Sequence, residues 1–168
     1  MRSAGSTAAS LLATVGGLGC LPFAPGTWGS LIGVMLGVLG ARLASPEGAH
    51  PAGWVVALLV ATFIIGAVVC THAERHLGQH DPPAIILDEV WGMAAVIVVL
   101  PWTAGSWPFL LVAFLLFRVF DVAKPPPLRH LARLPAGWGI MADDLGAACY
   151  ATVLLTVTYA RLHWHPPP

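Results

Sequence analysis

The chain has 168 residues and no formal net charge, with eight basic and eight acidic residues. Hydrophobic residues make up 57% of it, charged residues only 10%, and the mean hydropathy is +0.79, whereas soluble domains average about 25% charged residues. This composition is typical of a membrane protein, and it excludes a basic nucleic-acid-binding domain, so nucleic acid is not an expected partner. The length predicts a single domain over residues 1–168.

The N-terminal part combines an apolar stretch with a Gly/Pro-rich segment. Glycines interrupt residues 2–20, so we expect this stretch to remain in the chain rather than to be cleaved as a signal peptide. Residues 16–30 predict an irregular loop, with Thr27 as the N-cap of a helix from about Trp28 to Leu43. Glycines recur every four residues in that helix and predict a face on which another membrane helix packs closely. These glycines are Gly29, Gly33 and Gly37.

Four further apolar stretches predict membrane helices. The strongest, Trp54 to Thr71, carries no charged residue and is about long enough for a ~30 Å hydrocarbon core. Two shorter stretches follow, Ile85 to Leu100 and Phe109 to Phe120, which could be tilted, partly embedded or packed inside the bundle. The last helix is predicted from about Leu145 to Leu162. The tail HWHPPP is predicted to be unstructured. The expected fold is therefore all-α, a polytopic helical membrane bundle of about four to five apolar helices.

The distribution of charge along these helices predicts their orientation. If the N-terminus is cytoplasmic and the helices alternate, most Lys and Arg residues lie inside and only Arg42 and Arg161 lie outside, as the positive-inside rule requires. The same topology places six of the eight acids on the cytoplasmic side, so we expect an active site on that face. These acids are Asp81, Asp88, Glu89, Asp121, Asp143 and Asp144.

Carboxylates that converge in this way need a counter-charge. Two of them ~4 Å apart repel by about 4 kcal/mol at an effective dielectric constant of ~20. A divalent cation is the natural solution, and ligands that are all carboxylates favour a hard ion such as Mg²⁺, which often shares its site with phosphate oxygens. The sequence therefore predicts a magnesium site on the cytoplasmic face.

Each acid taken alone also has a purely structural explanation. The pairs at 88–89 and 143–144 could simply interact with the dipole of a helix N-terminus. Asp121 could be only an ion-pair partner of a nearby basic residue, and Asp81, which precedes Pro82, could be a turn residue. Only the joint placement of the acids on one face indicates a functional site.

Basic and backbone groups near the acids predict phosphate binding. Arg118 and Lys124 fall at a predicted helix end beside the acids and could hold a phosphate. The helix start at Gly26 and Thr27 offers backbone N–H groups to an anion, although Gly and Pro there could serve turn geometry alone. Ser30, one turn further on, completes the predicted phosphate-binding set.

Four segments of the chain together resemble the phosphatidylglycerophosphatase A family of bacterial membrane phosphatases. They are PGTWGS (25 to 30), AERHLGQHDPPAIILDEVWGM (73 to 93), RVFDVAKPPP (118 to 127) and GIMADDLGAA (139 to 148). The resemblance implies removal of the terminal phosphate from the lipid phosphatidylglycerophosphate to give phosphatidylglycerol, with Mg²⁺ required. It also implies an all-helical, multi-pass protein of the bacterial inner membrane whose site faces the cytoplasm. The acids and bases named above occupy the motif positions of the family.

We predict the following roles for these positions. Asp81 or Asp121 acts as the catalytic base for an attacking water, although covalent attack by Ser30 or an Asp stays open. The predicted magnesium ligands are Asp88, Glu89, Asp143 and Asp144.

The alternative hypothesis is a small cation transporter or channel that uses the clustered acids. This hypothesis predicts acids near the middle of the spans.

Overall fold

The computed structural model describes residues 4–44 and 52–162, and within these ranges the regular structure is entirely helical. The predicted all-α class is therefore confirmed, while the prediction for the HWHPPP tail lies outside the described residues. Short 3₁₀ turns at Leu18–Cys20 and Pro101–Gly105 separate some of the helices. The α-helices are α1 (Ala4–Ala13), α2 (Pro25–Ala44), α3 (Ala52–Leu77), α4 (Leu87–Val99), α5 (Trp107–Ala123), α6 (Leu128–Leu131) and α7 (Gly137–Leu162).

Three of these helices are long and apolar enough to cross a membrane. The spanning stretches are Pro25–Leu43 in α2, Gly53–Leu77 in α3 and Gly137–Leu162 in α7. Helices α4 and α5 have 13 and 17 residues, fewer than the ~20 that a membrane-spanning helix needs. The protein is thus a helical membrane protein in which three long helices pack with two shorter apolar ones.

Helix α4 lies at the centre of the packing. Its side chains at Met93, Val96 and Ile97 are fully buried, and they join a core cluster with residues of α5 and α7, among them Phe117 and Ala147. A helix that is apolar on nearly all sides is expected in the interior of a bundle. The burial of α4 explains how so short a helix can be as apolar as a membrane span.

Two helices begin earlier than the sequence indicated. Helix α2 starts at Pro25, a residue that suits the first helical position because its missing N–H would have no partner there. Thr27 therefore lies inside the first turn, and its prediction as the N-cap was wrong. Helix α7 starts at Gly137 rather than near Leu145, because close packing overrides the low helix propensity of glycine. A Cβ at Gly137 would overlap backbone atoms of α3, at Ala67 and Thr71.

The glycine face predicted on α2 packs directly against α4. A Cβ at Gly33 would lie 2.7 Å from the Val90 carbonyl oxygen and 2.8 Å from the Met93 Cβ, and one at Gly37 would lie 2.9 Å from the Ile97 Cβ. Backbones approach this closely only where side chains are absent. The prediction that these glycines form a helix-packing face is confirmed, and the α2–α4 contact sets the position of the start of α2.

Substitution of Gly33 by Val should therefore destabilise the bundle. We expect a loss of about 1–3 kcal/mol in the free energy of unfolding, the usual effect of overpacking a close contact. The measurement is unfolding in mixed micelles of a mild detergent and SDS, followed by circular dichroism. The matched control is Gly53→Ala in α3, where an added Cβ meets nothing within 4 Å; equal losses in both variants would contradict the packing role of Gly33.

The predicted site residues come together at one end of the bundle. The N-termini of α2, α4 and α7 lie there, beside the C-termini of α3 and α5, as contacts such as Arg118 to Ser30 and Gly137 to Thr71 show. Arg42 and Arg161 fall in the last turns of α2 and α7, at the opposite helix ends. We call this group of helix ends the acidic end of the bundle.

Candidate active site

Three carboxylates form a compact group at the acidic end. Asp88 and Glu89 stand in the first turn of α4, and Asp144 stands in the first half of α7. One oxygen from each lies within 4.8 Å of the other two. Asp88 is 9% exposed and Asp144 only 1%. We call Asp88, Glu89 and Asp144 the carboxylate trio.

Each member of the trio has a buried oxygen without a hydrogen-bond partner in the described part of the chain. These atoms are Asp88 Oδ1, Glu89 Oε2 and Asp144 Oδ2. A buried carboxylate without a partner costs several kcal/mol unless a proton or a cation neutralises it. Two ligands of one Mg²⁺, each 2.0–2.1 Å from the ion, lie at most about 4.2 Å apart, so small side-chain rotations would let the trio share one ion. The trio therefore fits a hard divalent cation.

Asp143, the fourth predicted magnesium ligand, lies outside the trio, and its role as a ligand stays a prediction. It is only 4% exposed, and its Oδ2 accepts a hydrogen bond from Lys124 Nζ in a partly buried ion pair. Its other oxygen, Oδ1, is buried and has no hydrogen-bond partner among the described residues, like one oxygen of each trio member. The structure thus divides the predicted set of four acids into the trio and an ion pair.

Lys124 ends α5 and points into the acidic end. Its backbone φ of 43° is left-handed, and Arg129 Nε donates a 2.9 Å hydrogen bond to its carbonyl oxygen. Burial lowers the pKa of Lys124, but the hydrogen bond and charge of Asp143 outweigh this, so the pKa is raised above its usual value; the charges of Asp81 and Asp121 act in the same direction. Lys124 is therefore a permanent cation among the acids at neutral pH.

Arg118 connects three helices at the same end. Its Nη1 donates a 2.6 Å hydrogen bond to Asp121 Oδ2, lies 3.8 Å from Glu89 Oε1 and approaches Ser30 Oγ at 3.5 Å. Asp121 thus has the ion-pair role that was its structural alternative, and it also stands next to the trio through Arg118. A guanidinium held in this way carries further N–H donors that a phosphate could engage.

The start of α2 supplies the last wall of the site. Gly26 is buried, and a Cβ there would overlap Glu89 Oε1 and lie 2.9 Å from Arg118 Nη1. Ser30 is fully buried, and its hydroxyl donates a 2.9 Å hydrogen bond to the Gly26 carbonyl, which favours a structural role over covalent attack. Thr27 is half-buried in the first turn of α2. Of the predicted phosphate-binding residues, Gly26 and Arg118 both lie against Glu89 of the trio.

Gly26→Ala should impair the site without unfolding the protein. The added methyl group would displace Glu89 or Arg118, so we expect the phosphatase activity that the family resemblance implies to fall at least about tenfold, the cost of a loss of 1.4 kcal/mol. The assay is phosphate release by protein purified in detergent. As a matched control, Gly105→Ala adds a methyl group that meets nothing within 4 Å and should retain full activity; unchanged activity in Gly26→Ala would exclude the close approach proposed for this residue.

Glu74 has a role that the sequence analysis did not identify. This buried residue of α3 accepts hydrogen bonds at Oε1 from the Asp81 backbone N–H, at 3.2 Å, and from His80 Nδ1, at 2.5 Å. It thereby holds the loop that carries Asp81, whose own side chain is exposed. Gly78, with a φ of +69°, ends α3 and turns the chain back, and a helix-ending glycine just after Glu74 was the signal available for this contact.

Comparisons with known proteins agree with the arrangement of these residues. Residues 11–159 match the sequence model of the family described as phosphatidylglycerophosphatase A. The Haemophilus influenzae protein named phosphatidylglycerophosphatase A is 40% identical over 158 residues, which cover 92% of this chain and 88% of the relative. The Escherichia coli protein of the same name is 32% identical over 157 residues, 92% of this chain and 84% of the relative.

A third relative carries a different provisional name. A Bacteroides thetaiotaomicron protein, provisionally named phosphatidylinositol-3-phosphatase, is 30% identical over 147 residues, which cover 88% of this chain and 91% of the relative. No solved structure matches the chain significantly. Because the family match extends over most of the chain and includes every residue of the acidic end described above, the chain belongs to the phosphatidylglycerophosphatase A family.

Proposed function

We propose that the protein hydrolyses the terminal phosphomonoester of phosphatidylglycerophosphate and releases phosphatidylglycerol and phosphate in a Mg²⁺-dependent reaction. The observation that carries this proposal is the group of three carboxylates with unpartnered oxygens beside Arg118 and Lys124. Acids that fit a divalent cation and bases that fit a phosphate are the components of a metal-dependent phosphatase. Membership of the family and the names of two relatives supply the substrate.

Different residues of the acidic end have different roles in the proposed reaction. The carboxylate trio would hold Mg²⁺, which when bound neutralises charge on the phosphate and lowers the pKa of water. Arg118 binds a phosphate oxygen through its remaining N–H groups, and Lys124 supplies a second positive charge. Asp121, oriented by Arg118, or the exposed Asp81 accepts the proton of the attacking water as the new P–O bond forms. The bond from phosphorus to the glycerol oxygen breaks, and that oxygen leaves with a proton from solvent.

We further propose that the protein resides in the bacterial inner membrane with the acidic end facing the cytoplasm. Arg75 lies in the last turn of α3 at this end. Arg129 lies in α6, the short helix that comes after Lys124. Arg42 and Arg161 mark the opposite end. This excess of positive charge at the acidic end supports a cytoplasmic orientation.

The position of the acids also separates the phosphatase from a cation transporter. Asp88 is the second residue of α4, and Asp144 lies seven residues after the start of α7, about 10 Å along the helix. A transport pathway requires polar groups through the middle of the bundle, where α4 is lined by Met93, Val96 and Ile97. The acids at the helix ends favour chemistry at the membrane surface.

The deciding experiment is phosphate release by the purified protein. We expect rapid release from phosphatidylglycerophosphate with Mg²⁺, loss of release with EDTA, and slower release from phosphatidic acid, phosphatidylinositol 3-phosphate and glycerol 3-phosphate. Faster release from phosphatidylinositol 3-phosphate would identify that lipid, rather than phosphatidylglycerophosphate, as the substrate. Cation flux in liposomes without any phosphate release would show that the protein is a cation transporter rather than a phosphatase.

A further inference from the structure

An apolar groove lies between α3, α4 and α7 and begins beside the carboxylate trio. Its volume is about 360 Å³, and each of the three helices contributes about two turns to its walls. The contributing stretches are 56–63 of α3, 91–99 of α4 and 145–153 of α7. We call it the α3–α4–α7 groove.

The near end of the groove adjoins the trio. Leu145 directly follows Asp144, and Trp91, which lies two residues after Glu89, packs its ring edge-on against Phe63 with 5.2 Å between centroids. These side chains form the first level of the groove. The charged site and the apolar groove are therefore adjacent along both α4 and α7.

The groove then runs away from the site along the bundle. On α4, Ala95 and Val99 follow Asp88 by seven and eleven residues, spacings that place all three on one helix face. Eight residues from the first level to the last correspond to about 12 Å along a helix. At the far level Val56 and Val153 are 58% and 63% exposed, so the groove is open on the side that faces the membrane.

The chemistry of the walls identifies the class of ligand. Almost all lining side chains are aliphatic or aromatic, with Thr152 and Cys149 as the exceptions. The one polar atom of Trp91 is satisfied, because Nε1 donates a 3.0 Å hydrogen bond to Thr62 Oγ1. A charged site that continues into a narrow apolar groove matches a molecule with an anionic head and a hydrocarbon chain.

We infer that the α3–α4–α7 groove holds one acyl chain of the lipid substrate while its phosphate lies at the carboxylate trio. This inference rests on the proposed function and adds a subsite that distinguishes long-chain lipids from short-chain phosphomonoesters. The polar head of such a lipid stays at the membrane surface and its chains descend parallel to the helices, which is the course of the groove from Trp91 to Val99.

A second apolar groove provides a matched control. It is larger, about 850 Å³, and lies between the end of α2 and the start of α3, where it is lined by Gly40, Trp54 and Ala61 among others. Those in α3 lie on the side of that helix that faces α2, and none of the lining residues is shared with the α3–α4–α7 groove. A bulky side chain in this second groove therefore leaves the lining residues of the α3–α4–α7 groove unchanged.

The first test fills each groove with a phenylalanine. We expect Thr152→Phe to lower the ratio of kcat/KM for dipalmitoyl to kcat/KM for dioctanoyl phosphatidylglycerophosphate by about five- to tenfold, since 1.4 kcal/mol of lost packing is tenfold. Ala61→Phe, in the second groove, should leave this ratio unchanged. The ratio within one variant cancels any difference in the folded fraction. An unchanged ratio in Thr152→Phe, or an equal fall in Ala61→Phe, would overturn the inference.

The second test uses the exposed thiol of Cys149 in the groove wall. The substitution Cys20→Ser removes the other exposed thiol, and Cys70 is buried. In this variant, hexyl methanethiosulfonate should therefore modify Cys149 and lower the ratio of the two kcat/KM values. A reductant should restore the ratio. Excess dipalmitoyl lipid should slow the modification. Modification without any change in the ratio would overturn the inference. Dissociation of an oligomer on modification would also overturn it, because the groove would then be the binding site of a second copy of the chain.

Failure of the inference and failure of the proposed function give different results. If the unmodified protein releases no phosphate from either lipid, the proposed function is wrong. If it hydrolyses both lipids and the ratio does not respond to Thr152→Phe or to modification of Cys149, the function stands and the groove has no part in substrate binding.

Discussion

Asp88→Asn is expected to abolish phosphate release while making the metal-free protein more stable. Asp88 belongs to the carboxylate trio and has an oxygen without a partner. Loss of a group that merely supports a metal ligand costs 10- to 100-fold in affinity or activity, so loss of the ligand itself should cost at least about 100-fold. Without Mg²⁺, removal of one of several buried like charges should raise the free energy of unfolding by about 1 kcal/mol or more.

The metal-dependent part of stability provides a readout that does not require activity. Unfolding of the unsubstituted protein should shift upward with Mg²⁺, by about 2.7 kcal/mol at 100 times the dissociation constant, and Asp88→Asn should lose this shift. Asp81→Asn is the matched control, because Asp81 is an exposed acid outside the trio and should retain the shift. A full Mg²⁺ shift in Asp88→Asn together with normal activity would show that the trio does not hold the metal.

Lys124→Met should produce the largest loss of stability among single substitutions at the acidic end. It leaves Asp143, 4% exposed, as a buried charge without its cation. Breaking a buried pair from one side costs about 3–5 kcal/mol, and we expect the lower end because the Lys124 side chain is 31% exposed. Unfolding in mixed micelles measures the loss, and Arg133→Met, at an exposed basic residue, should change stability by no more than about 0.5 kcal/mol.

A double substitution separates stability from phosphate binding. Lys124→Met combined with Asp143→Asn removes both charges of the pair, so most of the lost stability should return. Phosphate release should stay low, because the second positive charge at the site is still missing. Recovery of activity along with stability would show that Lys124 acts only by neutralising Asp143.

Part of this site could be predicted from the sequence, because the features that indicate it lie close together in the chain. Asp88 and Glu89 open an apolar run, and a four-residue repeat of glycines on α2 directly indicates a helix-packing face. The all-helical class followed from the apolar runs in the same way. The two short runs were predicted as spans that could instead pack inside the bundle, and α4 is such a buried helix; hydropathy alone does not distinguish the interior of a bundle from contact with lipid.

Features that depend on long-range contacts were not legible. Gly137 and Gly139 look like loop residues, yet they lie in α7, and they are glycines because α3 and the segment after α6 leave no room for a Cβ there. That error moved the predicted helix start past Asp143 and Asp144, and the sequence does not show that Asp143 pairs with Lys124 whereas Asp144 joins Asp88 and Glu89. Gly78 indicates where α3 ends, but it does not indicate that the loop after it returns to form hydrogen bonds with Glu74.

The backbone contact between α2 and α4 has a consequence for how the enzyme can vary. Gly29, Gly33 and Gly37 leave no space between the two helices, so α2 cannot slide or rotate without a collision. The placement of Gly26 against Glu89 is therefore fixed by residues as far as eleven positions away, about 16 Å along the helix. Substitutions that never touch a substrate can change turnover by moving this contact, and screens for altered activity should recover them along the whole length of α2.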